Sequence, residues 1–156
     1  MPAAKSKPAY VVRSSHTHGR GAFASRQIRK NTRIIEYRGV RTTWEEACER
    51  PPSDPLDPNH TFLFEISDGT LIDARVRGNT ARWINHSCEP NCEAMEHEDG
   101  RVFIYAKRTI RPDEELTYDY GLTVEGRITK RKRKDFACHC GSQDCRGTML
   151  KEPEAA

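Results

Sequence analysis

The chain has 156 residues, the size of one domain with at most a small appendage. Hydrophobic residues make up 35% and charged residues 31%, so the core must be thin, yet recurring apolar bursts exclude a wholly disordered chain. An apolar run of about 18 residues is absent and the N-terminus is polar, so neither a transmembrane helix nor a secretory signal is predicted.

The net charge of +3 is unevenly distributed along the chain. Six positive charges lie within residues 127–134, and without them 20 basic residues would face 23 acidic ones. The body is therefore mildly acidic, which suits a basic partner. The basic run is predicted to be a solvated linker, with a nuclear-import signal or a weak nucleic-acid contact as alternatives. Its core comprises Lys130, Arg131, Lys132, Arg133 and Lys134.

Short strands are predicted wherever β-branched and aromatic residues cluster between turn residues. They cover residues 10–13, 33–37, 61–66, 71–73, 101–106 and 115–118. A short helix capped by Thr42 or Thr43 is predicted to run through Ala47, and a single helical turn is predicted at residues 79–83. Because helices do not alternate with strands, a doubly wound nucleotide-binding sheet is excluded. The fold class is mainly β, built from several small sheets.

Four segments follow from this pattern. Residues 1–9 are predicted to be a disordered tail, residues 10–122 a β-rich body, residues 123–135 a basic linker, and residues 136–152 a cysteine-rich segment. In the absence of a signal peptide we expect a reducing compartment, where disulfides are the poorer interpretation of the six cysteines.

The cysteine-rich segment has the spacing of a metal site. Cys138, Cys140 and Cys145 form a C-x-C-x4-C pattern, which supplies three of the four ligands of a closed structural zinc site. The fourth ligand must come from His139 or from a distant cysteine, either Cys88 or Cys92. The alternative is a set of free, buried thiols.

Two further strings are dense in chemistry-bearing residues. Residues 82–92 (RWINHSCEPNC) combine polar side chains with Trp83 and Ile84, and a polar loop stabilised by its own turns is the alternative interpretation. In residues 115–121 (ELTYDYG), Tyr118 and Tyr120 are two positions apart and face the same side of a strand. They are either core aromatics or the lining of a channel that ends in phenol hydroxyls.

Taken together, these strings resemble the SET-domain protein-lysine methyltransferases that carry a post-SET zinc segment, and most closely their trithorax-type branch. The strings lie at residues 18–23 (HGRGAF), 34–39 (IIEYRG), 73–74 (DA), 78–91 (GNTARWINHSCEPN), 114–120 (EELTYDY) and 138–147 (CHCGSQDCRG). The resemblance spans about residues 10–149. It implies small curled β-sheets around a pseudoknot, in which residues 85–88 thread under the loop that contains Tyr120.

The resemblance also implies S-adenosylmethionine as methyl donor and one structural zinc ion, with a role for each matching residue. Tyr120 would orient the amine and the methyl group, while Phe62, Tyr37 and Tyr118 would line the lysine channel. Cys88 would complete the zinc site of Cys138, Cys140 and Cys145. The cofactor would be held by His18, Gly19, Arg20, Tyr37, Arg82, Asn85, His86 and His139.

The implied substrate is a lysine of a histone tail or another basic protein, carried to mono- or dimethyl-lysine because position 118 is Tyr. Val40 stands where many relatives have Glu, and the short, proline-rich residues 41–60 depart from the family's peptide groove, which affects the choice of substrate sequence. Since no cysteine-rich segment precedes the domain, we expect a compact stand-alone enzyme. It would act in the nucleus of a eukaryote, as a secreted effector, or in a bacterial cytoplasm. The alternative function is a zinc-stabilised protein or nucleic-acid interaction module without catalysis.

Overall fold

Short strands dominate the molecule. The computed structural model describes residues 8–15, 19–49, 63–120, 129–138, 140, 142–143 and 145–150. Within these ranges the strands are β1 Tyr10–Ser14, β2 Arg20–Ala24, β3 Arg33–Tyr37, β4 Val40–Thr42, β5 Leu63–Glu65, β6 Leu71–Asp73, β7 Asn85–His86, β8 Cys92–Glu96, β9 Val102–Ala106 and β10 Thr117–Tyr118. The helices are α1 Trp44–Glu49 and α2 Lys130–Asp135, and a 3-10 turn covers Thr80–Trp83. Neither helix has the length or the apolar character needed to cross a membrane.

The strands form four small sheets. Three of them are antiparallel, with the orders β1-β2, β3-β9-β8 and β4-β6-β5. The fourth is a two-stranded parallel pair of β7 and β10, which joins segments about 30 residues apart in sequence. The predicted fold class, mainly β and built from several small sheets, is confirmed.

Local sequence signals account for the helix and turn boundaries. The Thr43 hydroxyl accepts a hydrogen bond from the Glu46 amide at 3.2 Å and caps α1, as predicted. A turn at Asp68 and Gly69 joins β5 to β6, and Gly69 adopts φ +88°, which L side chains rarely do. Residues 130–135 of the predicted linker form a helix, because the Thr129 side chain caps it through the Lys132 amide at 3.1 Å.

The core lies where the sheets meet. Its largest fully buried apolar side chains are Ile28, Leu71, Ile84, Ile104, Ile110, Leu116 and Leu150. Asp73 is also fully buried, and its carboxylate accepts hydrogen bonds from the Arg75 guanidinium at 2.8 and 2.9 Å. The apolar core holds Ile84 and Leu116 in place, and these residues immediately precede β7 and β10. Core packing of these two residues therefore fixes the starts of β7 and β10 beside each other.

Candidate active site

The parallel pair of β7 and β10 brings together the two polar strings singled out in the sequence. Asn85 lies opposite Thr117 and His86 opposite Tyr118, and the Ser87 amide continues the pairing by donating to the Tyr118 carbonyl at 3.3 Å. Asn85 and His86 are 6% and 4% exposed, so their polar atoms must find partners inside the protein or in a ligand. The resemblance predicted that these two segments lie side by side, whereas the periodicity of the sequence gives no sign of it.

Aromatic rings gather beside this pair. The ring centroids of Tyr118 and Tyr120 are 4.8 Å apart, those of Tyr37 and Phe64 are 5.4 Å apart, and Phe64 lies 6.3 Å from Tyr118. β3, β5 and β10, together with the residues after β10, each contribute to the cluster. The prediction that Tyr118 and Tyr120 lie together is confirmed by this contact, and Tyr37 joins them through Phe64.

Burial keeps these phenols neutral. It raises the pKa of Tyr118 well above 10.0, and the pKa of Tyr37 and of Tyr120 is raised in the same direction. The Tyr120 hydroxyl donates to the Ile84 carbonyl at 2.5 Å, which fixes its ring against the residue that precedes β7. The cluster therefore offers hydroxyl groups and aromatic faces near neutral pH, and no phenolate that could act as a base.

Asn85 is oriented by the N-terminal sheet. Its amide nitrogen donates to the Arg20 carbonyl at 2.9 Å and to the Glu115 carboxylate at 2.8 Å. The Ser15 hydroxyl donates to the same carboxylate at 2.8 Å. Gly21 makes this approach possible, because a Cβ there would lie 2.3 Å from a Glu115 carboxylate oxygen.

His86 is oriented by the segment that follows β10. Its Nδ1 accepts a hydrogen bond from the Tyr120 amide at 3.0 Å, which places the proton of the neutral ring on Nε2, 3.5 Å from the Cys88 sulfur. Burial lowers the pKa of His86 to about 4, although Asp119 raises it. The ring is therefore neutral at pH 7, and the approach of the Asp119 carboxylate to 3.6 Å is not an ion pair.

Four cysteine sulfurs come together next to His86. The sulfurs of Cys88, Cys138, Cys140 and Cys145 all lie within 4.8 Å of one another, and those of Cys88 and Cys138 are 3.8 Å apart. A tetrahedral zinc ion with bonds of about 2.3 Å requires sulfur separations of about 3.8 Å, so this cluster can hold one. Backbone amides of Cys140, Arg146 and Gly147 donate to three of the sulfurs, which supports thiolate ligands.

Of the two distant cysteines considered as fourth ligand, the structure selects Cys88. Cys92 is fully buried in β8 among apolar core residues, and burial raises the pKa of its thiol to about 12. A neutral, inert thiol is expected there. The side chain of Cys48 lies outside the described residues.

Two arginines flank Trp83 at the entrance to β7. The guanidinium of Arg82 lies 4.9 Å from the Trp83 ring centroid and that of Arg20 lies 5.8 Å from it. Arg82 also donates to the Ala74 carbonyl at 3.4 Å. Gly19, with φ +46° and open space where a side chain would project, begins the turn into β2. Arg20 contacts Asn85 through its carbonyl, Arg82 shares the Trp83 ring with it, and Gly19 directly precedes Arg20 in the chain.

The remaining predicted site residues, His18, Phe62 and His139, lie outside the described residues, as do residues 1–7, 121–128 and 151–156 of the predicted segments. Three residues that sequence reasoning gave no role hold the site together: Phe64, Glu115 and Asp119. The last two belong to the string at 114–120, so their position in a motif was the available signal.

A cleft of about 290 Å³ lies beside Tyr37 but has different chemistry. Arg38, Arg41, Arg77 and Arg101 line it. Arg38 contacts the Glu36 carboxylate at 3.4 Å and Arg101 contacts that of Asp99 at 2.7 Å. Two of these arginines are therefore paired with carboxylates, and the aromatic cluster remains the candidate active site.

Known proteins are similar to this chain over most of its length. A SET domain family model matches residues 19–121. The histone-lysine N-methyltransferase trithorax of Drosophila virilis is 38% identical over 141 residues, which cover 85% of this chain and 3% of that protein. A histone-lysine N-methyltransferase of Aspergillus oryzae, named as H3 lysine-4 specific, is 41% identical over 149 residues, covering 93% of this chain and 12% of that protein. Histone-lysine N-methyltransferase 2B of Homo sapiens is 38% identical over 144 residues, covering 90% and 5%. The chain thus spans about an eighth or less of the length of these relatives, and it belongs to the SET domain family.

Proposed function

We propose that the chain is a protein-lysine N-methyltransferase that transfers a methyl group from S-adenosylmethionine to a lysine ε-amine. The observation that carries this proposal is the contact between the buried tyrosines and the Asn85–His86 strand. It places neutral hydroxyl groups next to buried polar groups that can hold a cofactor. The relatives named as histone-lysine N-methyltransferases support the same reaction.

The chain's residues fit such a cofactor. Asn85 and His86 would hold it at the centre, Gly19 and Arg20 along the β2 edge, and Arg82 would support that pocket; His18, Tyr37 and His139 remain proposed from the motif alone. When bound, S-adenosylmethionine supplies an electrophilic methyl group on a sulfonium. The neutral state of His86 fits this role, since a second positive charge beside a sulfonium would be repulsive.

The aromatic cluster would prepare the lysine. A lysine with a pKa near 10.4 must lose its proton before it can attack, which costs roughly 4–5 kcal/mol at pH 7 in water. A narrow, dry channel lined by Tyr37, Phe64 and Tyr118 would disfavour the charged amine, and Phe62 is proposed for this lining from the motif alone. Because burial raises the pKa values of the tyrosines, the proton leaves to water rather than to a phenolate. The Tyr120 hydroxyl would orient the neutral amine.

The zinc proposal assigns one structural ion to Cys88, Cys138, Cys140 and Cys145. Since Cys88 follows His86 by two residues, the ion would fix the C-terminal segment against the strand that holds the cofactor. We propose residues 10–122 as the catalytic body and residues 136–152 as the zinc segment. Residues 123–135 would connect them, and this connection includes α2.

The proposed substrate is a lysine of a histone or another basic protein. Without its basic run the body is acidic, which attracts basic tails, and the relatives are named for histone lysines. Tyr118 limits free volume beside the amine, so mono- and dimethyl-lysine are the proposed products. The helix α2 would add a weak nucleic-acid contact through Lys130, Arg131 and Lys134, whose side chains are exposed.

The test is a radiolabelled-methyl transfer assay with histones, ribosomal proteins and the chain itself as substrates, followed by mass-spectrometric mapping of the modified lysine. Transfer by the wild-type chain is expected, together with a loss on the order of 100-fold in Tyr120→Phe. Cys92→Ala is the matched control, because it alters a buried residue outside the proposed site. Calorimetric binding of S-adenosylmethionine without transfer to any substrate would instead favour an interaction module.

A further inference from the structure

We propose that Arg146 is a positioning residue for the reaction, acting through Asp119 to fix the loop that carries the two tyrosines. The inference rests on the proposed function. Among the described residues, the cysteine-rich segment contributes no ring to the aromatic cluster, so any influence on the cluster must pass through other contacts. Arg146 directly follows Cys145, one of the four clustered cysteines.

The contact between Arg146 and Asp119 is a two-point one. Two nitrogens of the guanidinium donate to the two carboxylate oxygens, at 2.6 and 3.0 Å, across 27 residues of sequence. Such a planar fork constrains direction as well as distance, which a lysine could not do. The side chains are 28% and 36% exposed, so the pair is shielded in part from solvent.

The backbone of Arg146 contacts the cysteine cluster at the same time. Its amide donates to the Cys88 sulfur at 3.3 Å. One residue therefore touches both the proposed zinc site and the loop between Tyr118 and Tyr120. A shift of the cluster relative to the body would move the guanidinium and, with it, Asp119.

Asp119 passes this constraint to the reacting groups. It lies between Tyr118 and Tyr120 in the chain, and its carboxylate is 3.6 Å from His86 Nδ1, the atom that accepts the Tyr120 amide hydrogen bond. If the two-point contact with Arg146 is lost, the backbone at Asp119 can rotate while the apolar core still holds β10. Misplacement of a reacting group by about 1 Å costs on the order of 100-fold in rate, so a positional role predicts a kinetic effect without unfolding.

The experiment compares Arg146→Gln, Arg146→Lys, Asp119→Asn and the double variant Arg146→Gln/Asp119→Asn. In Arg146→Gln, metal analysis should still find the zinc ion, while kcat should fall about 10- to 100-fold with little change in the KM for a peptide. Arg146→Lys should restore kcat only in part. The double variant should be no worse than the single ones, because both remove the same contact. The control is Arg108→Gln, which breaks a similar two-point contact with Glu114 that involves none of the four clustered cysteines, and it should leave kcat unchanged.

A second readout is independent of catalysis. Hydrogen exchange of the Tyr120 amide should become about tenfold faster in Arg146→Gln, while that of the Leu116 amide, bonded to the Ala22 carbonyl at 2.7 Å, should not change. Unchanged kcat and unchanged Tyr120 exchange in Arg146→Gln would overturn the proposal, as would additive losses in the double variant. An inactive wild-type chain in which Tyr120 exchange still responds would count against the proposed function and leave the positional role supported.

Discussion

Asn85 and His86 are neighbours on one short strand, yet different parts of the structure hold them. Asn85 is fixed by the Arg20 carbonyl and by Glu115, which Ser15 also contacts. His86 is fixed by Tyr120 and Cys88, beside the cysteine cluster. The difference teaches that two separate supports meet at one site. The first relies on sheet packing and a close glycine contact, and the second lies beside four cysteine sulfurs that the proposed zinc ion would hold together.

The largest effect is expected from removing the metal. Cys140→Ser should lose the proposed zinc ion and reduce transfer by more than about 100-fold, since thiolates within 4.8 Å of one another would repel without a cation. The His86 support should fail while the Asn85 support persists. Metal analysis and the transfer assay on the same preparation test this. Fully active protein without zinc would contradict it, and Cys92→Ala should keep one zinc ion per chain.

The next effect concerns the other support. Asn85→Ala should weaken binding of S-adenosylmethionine by about 1–3 kcal/mol, or roughly 5- to 150-fold in Kd, because it removes hydrogen bonds to a buried ligand. Isothermal calorimetry is the measurement. Glu115→Gln should weaken binding of S-adenosylmethionine less than Asn85→Ala does. Because Glu115 acts by orienting Asn85, the double variant should bind the cofactor little worse than Asn85→Ala alone. Unchanged affinity in a folded Asn85→Ala variant would remove Asn85 from the cofactor site.

Tyr118→Phe tests the space within the aromatic cluster rather than either support. It should keep activity and shift the product towards di- and trimethyl-lysine. The reason is that the lost hydroxyl, with any water it holds, occupies volume that the first methyl group must turn into. A tenfold change in the product ratio needs only about 1.4 kcal/mol. Mass spectrometry of a peptide after long reaction measures it, and trimethyl-lysine as the main wild-type product would falsify the assignment.

The smallest effect is expected at α2, which belongs to neither support. Changing Lys130, Arg131 and Lys134 to Gln should leave binding of S-adenosylmethionine intact and weaken binding to DNA a few-fold, more so at low salt. Arg133 is kept, because its guanidinium donates to the Arg146 carbonyl at 3.3 Å. Fluorescence anisotropy with a labelled duplex at two salt concentrations is the measurement. A collapse of cofactor affinity would show that the helix is part of the site.

The sequence by itself determined the mainly β class, most strand positions, a helix cap at Thr42 or Thr43 and the metal-type spacing of three cysteines. Each of these depends on residues close together in the chain, through strand alternation, capping or ligand spacing. The motif strings additionally identified Tyr118, Tyr120, Asn85 and His86, through resemblance rather than through local physics.

The resemblance implied that these strings meet, but only the tertiary structure gives the physical reason. The choice of Cys88 over Cys92 depends on which of the two faces the core. They are only four positions apart in the same string, so the local sequence does not distinguish them. The roles of Glu115, Asp119 and Arg146 depend on hydrogen bonds that span 24 to 100 residues. No periodicity encodes such contacts, because they arise only after the apolar residues before β7 and β10 are buried together and bring the two strands side by side.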